Sequence, residues 1–148
     1  MKQKRRNGPG ASGDGSDSRP DTLPAMLSRW PAVAAVASVI FVLSHVPPTG
    51  LPRIVFVCHA DKAVHVVEYA VLGVFLFRSL LYECCGHART AAIIAVSSGT
   101  LFGALDEWHQ ALSGRVADVW DVLANTFGLV CGTALVLLVA GWRAKNGK

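Results

Sequence analysis

Three short motifs gather the groups of this chain that can exchange protons, hold ions or donate hydrogen bonds. They are Asp61-Lys62-x-x-His65-x-x-Glu68-Tyr69, Asp106-Glu107-x-x-Gln110 and Arg115-x-x-Asp118-x-x-Asp121-x-x-x-Asn125. Together they contain six of the ten acidic residues, and His45 and His59 precede the first of them. Two chemistries suit that set. In a recognition site, Lys62 and Arg115 would hold a phosphate or carboxylate, while Asp118, Asp121 and Asn125 would bond sugar hydroxyls or amines. In an enzyme, His65 would be the general base, oriented by Asp61 or Glu68, and Asp118 and Asp121 would form an acid–base pair. Lys62 or Arg115 would then stabilise developing negative charge.

Other chemistries find less support. Ser113 precedes Gly114 outside any Gly-x-Ser-x-Gly pattern, so an enzyme here would need a water nucleophile or direct acid–base steps. His45, His59, His65, Glu68, Asp118 and Asp121 are metal-ligand types, but the His-Glu-x-x-His spacing of zinc proteases is absent. The histidines are expected to bond within the polar cluster, with no metal and no cofactor. A plain ion-pair brace, in which Lys62 and Arg115 neutralise some of the acids, is the main structural alternative. Cys58, Cys84, Cys85 and Cys131 offer no redox or zinc spacing.

These residues flank four apolar stretches, Trp30–Val46, Ala63–Tyr82, Ala91–Leu105 and Val119–Trp142. Hydrophobic residues make up 52% of the 148 and charged residues only 16%, below the quarter or so of a soluble domain. Each stretch is therefore read as a retained membrane helix, the first included, since Ser44-His45-Val46-Pro47-Pro48 is a poor cleavage site. The expected fold is an all-α, polytopic bundle of four transmembrane helices, with residues 28–143 as the membrane domain. Residues 1–27, rich in Gly, Ser, Asp and Pro, read as a disordered cytoplasmic tail, with Met26 as an alternative start and 144–148 as a second tail. The basic run Lys2, Lys4, Arg5, Arg6 fits anionic lipid, not nucleic acid.

Lys and Arg counts set the orientation. With both termini cytoplasmic, the outer segments hold only Arg53, Lys62 and Arg115 of the 14 basic residues. All three motifs then meet at the extracytoplasmic end of a protein of the cytoplasmic membrane. Helical spacing aligns Asp61, His65, Glu68 and Leu72 on one face. Gly99, Gly103, Asp106 (or Glu107) and Gln110 share another, and Asp121, Asn125, Gly128 and Gly132 a third. Small residues let helices approach closely in lipid, so the four glycines predict contact between the third and fourth helices, with the second alongside. Lys62, Asp106 and Arg115 each fit an interfacial position, whereas Glu68 and Asn125 lie too deep for one.

The ordered set resembles the VanZ-like family of small bacterial membrane proteins. Asp61-Lys62-x-x-His65-x-x-x-Tyr69-x-x-Leu72 is similar to its first signature. Asp106-Glu107-x-x-Gln110, Arg115, Asp118, Asp121, Asn125, Gly128 and Gly132 are similar to its second, and Ser44 and Pro47 also fit. Ala111 stands where an aromatic residue is expected after Gln110. The family's namesake is associated with low-level resistance to glycopeptide antibiotics, so the resemblance implies a cell-envelope role on the outer face of the cytoplasmic membrane. The expected partners are membrane lipid, a cell-wall precursor or a lipopeptide-like drug. The expected binding residues are Asp61, Lys62, His65, Glu68, Tyr69, Glu107, Gln110, Arg115, Asp118, Asp121 and Asn125. Binding is favoured over catalysis, for which His65, Glu68, Asp118 and Asp121 would be the candidates. The sequence sets no oligomeric state.

Overall fold

The computed structural model describes residues 29–44, 60–112 and 118–147, with the side chains of 60 and 61 left aside. Within them the chain is all-helical: α1 Trp30–Ser44, α2 Ala60–Glu83, α3 Ala88–Leu112 and α4 Val119–Asn146. The helices α2, α3 and α4 are long and apolar enough to cross a membrane. At 15 residues α1 rises only about 22 Å, short of a hydrocarbon core of roughly 30 Å, and the end of the expected first span lies outside the described residues. Arg115, His45, His59 and Cys58 also lie outside them.

A short turn joins α2 to α3. Cys85 (φ 50°) and Gly86 (φ 80°) adopt left-handed backbone, and Gly86 N–H bonds the Leu81 carbonyl at 2.9 Å while Cys85 N–H bonds that of Tyr82 at 3.0 Å. This paired closure satisfies carbonyls that the helix end would otherwise leave open. It sends α3 back antiparallel to α2, so the start of α2, the end of α3 and the start of α4 share one end of the bundle. At that end Asp118 caps α4, its carboxylate accepting from Trp120 N–H at 2.9 Å.

The bundle is built with its apolar surface outward. Its buried hydrophobic core is small (Val33, Ile40, Tyr69, Leu72, Leu76, Phe77, Ala91, Ala95 and Leu129), while Val67, Ile93, Leu101, Phe127 and Leu138 are exposed. Lipid solvates such a surface, so the helices have no hydrophobic drive to associate and must be held by close packing and polar contacts.

Close packing is concentrated between α2 and α4. A Cβ at Gly132 would overlap the Ala70 carbonyl, and one at Gly128 would overlap that of Val66. Reciprocally, a Cβ at Gly73 would stand 2.8 Å from the Leu129 carbonyl. This corrects the expectation that Gly128 and Gly132 face α3: they seat α2, backbone on backbone. Gly99 and Gly103 do lie against α4, through the side chains of Leu129 and Asn125. The physical reason is that α3 turns glycines toward bulky α4 side chains, whereas α2 offers its own backbone at Ala70. Helix α1 is peripheral, burying only Val33, Ile40 and Ser44. At the far end Arg29 stacks over Tyr82 at 3.5 Å and Trp30 Nε1 donates to Glu83 Oε1 at 3.3 Å.

Gly132→Ala is expected to cost about 1–3 kcal/mol by overpacking this seam. Gly141→Ala, which meets nothing within 4 Å, should change stability by less than about 0.5 kcal/mol. Thermal or denaturant unfolding of the two variants in detergent compares them directly.

Candidate functional site

The polar residues of three helices meet at the shared end. Helix α2 supplies Lys62, His65 and Tyr69, α3 supplies Asp106, Glu107 and Gln110, and α4 supplies Asp121 and Asn125, with Asp118 as its cap. His65 is 6% exposed, Glu107 4% and Asp121 6%, so all three are withdrawn from solvent. One ring nitrogen of His65 and one carboxylate oxygen each of Glu107 and Asp121 lie within 4.8 Å of one another. Of the described residues, these three are the ones placed to hold a metal ion together.

Donors surround the carboxylates. Lys62 Nζ bonds Asp118 Oδ2 at 2.8 Å and also Asp121 Oδ1, bridging the two acids of α4 from α2. Gln110 Nε2 donates to Asp106 Oδ2 at 3.1 Å and to Glu107 Oε1 at 3.3 Å, one and nearly one helical turn back. The Asp118 N–H approaches Glu107 Oε2 at 3.5 Å, at the limit of a hydrogen bond. Ser44 Oγ donates to Asp106 Oδ2 at 2.6 Å and brings the end of α1 to the cluster.

Asp106 and Ser44 were not among the expected site residues. Asp106 fits an interfacial position by sequence, yet it is 2% exposed. Its partner Ser44 lies 62 residues away, so no local spacing could reveal the pairing. Glu68 is half-buried beside the cluster, and Asp61 belongs to the first turn of α2. The expected roles of Arg115 and of the Asp61 side chain lie outside the described residues.

Beneath this ring lies a layer with no protein partners. Tyr69, Gly103 and Asn125 each sit one helical turn deeper than His65, Glu107 and Asp121. Tyr69 and Asn125 are fully buried, and the Tyr69 hydroxyl and both Asn125 amide atoms make no hydrogen bond. Gly103 gives them room, with Asn125 Nδ2 and Tyr69 Cε1 both 3.1 Å from where its Cβ would be. His65 Nδ1 and Asp106 Oδ1 are likewise buried without a partner. Burying a polar group unpaired costs roughly 1–3 kcal/mol, so four such residues in one place are a departure from ordinary packing that ordered water, a shared proton or a bound group would relieve.

A helical chain with three spans fit for a bilayer and an ionisable cluster between them is a small α-helical membrane protein. The sequence pattern of the VanZ/LLP1 family matches residues 22–140, and the chain belongs to that family. No curated protein and no solved structure matches it.

At the rim, Asp118 is only half-buried, and the Lys62 ammonium, then Trp120 N–H, hold its carboxyl below the ordinary value of 3.8. A depressed carboxyl stabilises the fold above its ordinary pKa, and that contribution disappears as pH falls through the depressed value. Thermal stability should therefore drop on acidification below about pH 4. Asp118→Asn should flatten that acid limb while leaving the neutral-to-alkaline profile in place, as a pH series of melting curves would record.

Proposed function

We propose that the polar cup opens on the extracytoplasmic side of the cytoplasmic membrane and binds the headgroup of an amphiphile. Candidate guests are a membrane lipid, a lipid-linked cell-wall precursor or a glycopeptide drug with a lipid tail. The fully buried, unpartnered Asn125 and Tyr69 carry this reading. They are hydrogen-bonding groups held ready beneath a charged rim, where a polar headgroup would complete them. The apolar exterior of α2, α3 and α4 would leave the guest's chains in the bilayer.

The topology that goes with this reading has four spans and both termini cytoplasmic, residues 28–143 forming the membrane domain. It is supported by the bias of Lys and Arg away from the cup end. Exposed Trp108 and Trp120 near that end, and Trp30 and Trp142 near the other, suit two interfacial belts. A second reading, a membrane-embedded acid–base enzyme, is favoured by the approach of His65 to Glu107 and Asp121.

Protein purified with native lipid should carry a stoichiometric, chemically unchanged amphiphile, identified by mass spectrometry. Asn125→Leu or Tyr69→Phe should weaken its retention about 10-fold, the worth of one or two hydrogen bonds. Equal retention at matched protein levels would defeat the cup as the binding site, and turnover lost in His65→Ala would favour the enzyme. A reporter inserted within 113–117 is expected outside the cell, and a cytoplasmic reporter would invert the topology.

A further inference from the structure

We infer that His65, Glu107 and Asp121 form a three-ligand site for a first-row divalent cation, with zinc the ion that the donor set fits best. The inference rests on the headgroup-binding reading and deepens it: the cation would hold the headgroup's phosphate or carboxylate oxygen.

Donor type and geometry come first. One nitrogen and two carboxylate oxygens, each from a different helix, converge within 4.8 Å in a site shielded from solvent. A tetrahedral zinc with ligands at about 2.0–2.2 Å spaces its donors roughly 3.4 Å apart. Small side-chain rotations toward a common centre close that difference. Three protein ligands leave the fourth position open, the arrangement of zinc sites that bind a further molecule.

The surroundings supply two independent arguments. His65 Nδ1 is buried and bonds nothing in the protein, so a nitrogen is free to ligate. One turn below, Asn125 and the Tyr69 hydroxyl are also buried without partners. These are groups that a ligated water or headgroup oxygen would satisfy. The ligand carboxylates are also oriented from outside the triad: Gln110 holds Glu107 Oε1 and Lys62 holds Asp121 Oδ1, while Glu107 Oε2 meets the Asp118 N–H only at 3.5 Å and keeps lone-pair capacity for an ion.

Charge points the same way. Asp106, Glu107 and Asp121 are all nearly fully buried, and among the described residues the Lys or Arg contact to this trio is Lys62, which pairs with Asp121 and with Asp118 outside it. Like charges withdrawn from water demand protons or counter-ions. An anionic headgroup entering such a cup would be repelled, whereas a divalent cation would offset the carboxylates and bind the headgroup oxygen at once.

The full chain, purified in detergent and stripped with chelator, is titrated with Zn2+ and separately with Mn2+ by calorimetry and elemental analysis. It is also loaded with Co2+ and examined by visible absorption. One ion per chain is expected, with Co2+ bands of a four-coordinate nitrogen–oxygen site. His65→Ala, Glu107→Gln and Asp121→Asn should each weaken binding by more than the roughly 100-fold upper end seen when a supporting residue is lost. Gln110→Ala should weaken it about 10- to 100-fold, and Arg89→Gln at the opposite end should leave it unchanged. Failure of the unsubstituted chain to bind an ion stoichiometrically overturns the site, whatever the folding of the variants. So does an ion retained by all three ligand variants, which places it elsewhere in the protein. Amphiphile retention is measured on the stripped protein in parallel. Amphiphile kept without metal affinity defeats the cation alone, and metal bound without any amphiphile defeats the headgroup reading alone.

Discussion

A carboxylate taken out of water must find a partner close by, and this requirement organises one end of the molecule. Asp106, Glu107 and Asp121 are each almost wholly buried in a bundle whose exterior is apolar. Their partners come from elsewhere in the chain: Ser44 from α1, Lys62 from α2, Gln110 from α3 itself, and the Asp118 backbone N–H from the start of α4. The apolar surfaces of lipid-embedded helices slide and rotate at little cost, because lipid is as good a neighbour as leucine. Polar pairs of this kind select one register. Below them the pattern reverses, and Asn125, Tyr69 and Thr133 are buried with polar atoms that bond nothing in the protein. Local rules broken beside rules obeyed mark a functional or strained place in a fold.

The two halves of that arrangement depend on how closely α2 and α4 approach. Gly73, Gly128 and Gly132 let the peptide backbones touch along two helical turns. At the cup end the same proximity lets Lys62 reach both Asp118 and Asp121. Helix α3 stands off at side-chain distance, with Leu129 and Asn125 filling the space against Gly99 and Gly103 and Thr100 Oγ1 lying 3.1 Å from Thr126 Oγ1. The wider spacing beside α3 is what lets the side chains of Leu129 and Asn125 lie between the two helices.

Much of this was legible in the sequence, for definable reasons. Apolar length and i, i+4 spacing located the helices and placed His65, Gln110, Asp121 and Asn125 on inward stripes, while the fully buried Tyr69 stood off the stripe expected for α2 and Glu68, on that stripe, is half-buried. Boundaries shifted where charge and length disagreed: α3 begins at Ala88 and extends to Leu112, because exposed Arg89 and Trp108 can reach an interface from within a helix. Three features were beyond a linear reading. Asp106 and Glu107 are adjacent and both are buried, although one helix face was expected to take only one of them. Gly-x-x-x-Gly announces a close neighbour but does not say which helix it is, so the seam was assigned to α3. Ser44 acquires its partner only where α3, two helices further along the chain, packs against the end of α1.

The seam between α2 and α4 also bears on how such a chain can diverge. Its geometry is set by main-chain atoms at Ala70, Gly128 and Gly132, which carry little or no side chain to rearrange. The many exposed Val, Leu, Ile and Phe residues have only to remain greasy. Substitution can therefore rewrite the outer surface almost without limit while the seam between α2 and α4 keeps its geometry. Ancestry in such a molecule is recorded in a handful of small and polar positions, and erased nearly everywhere else.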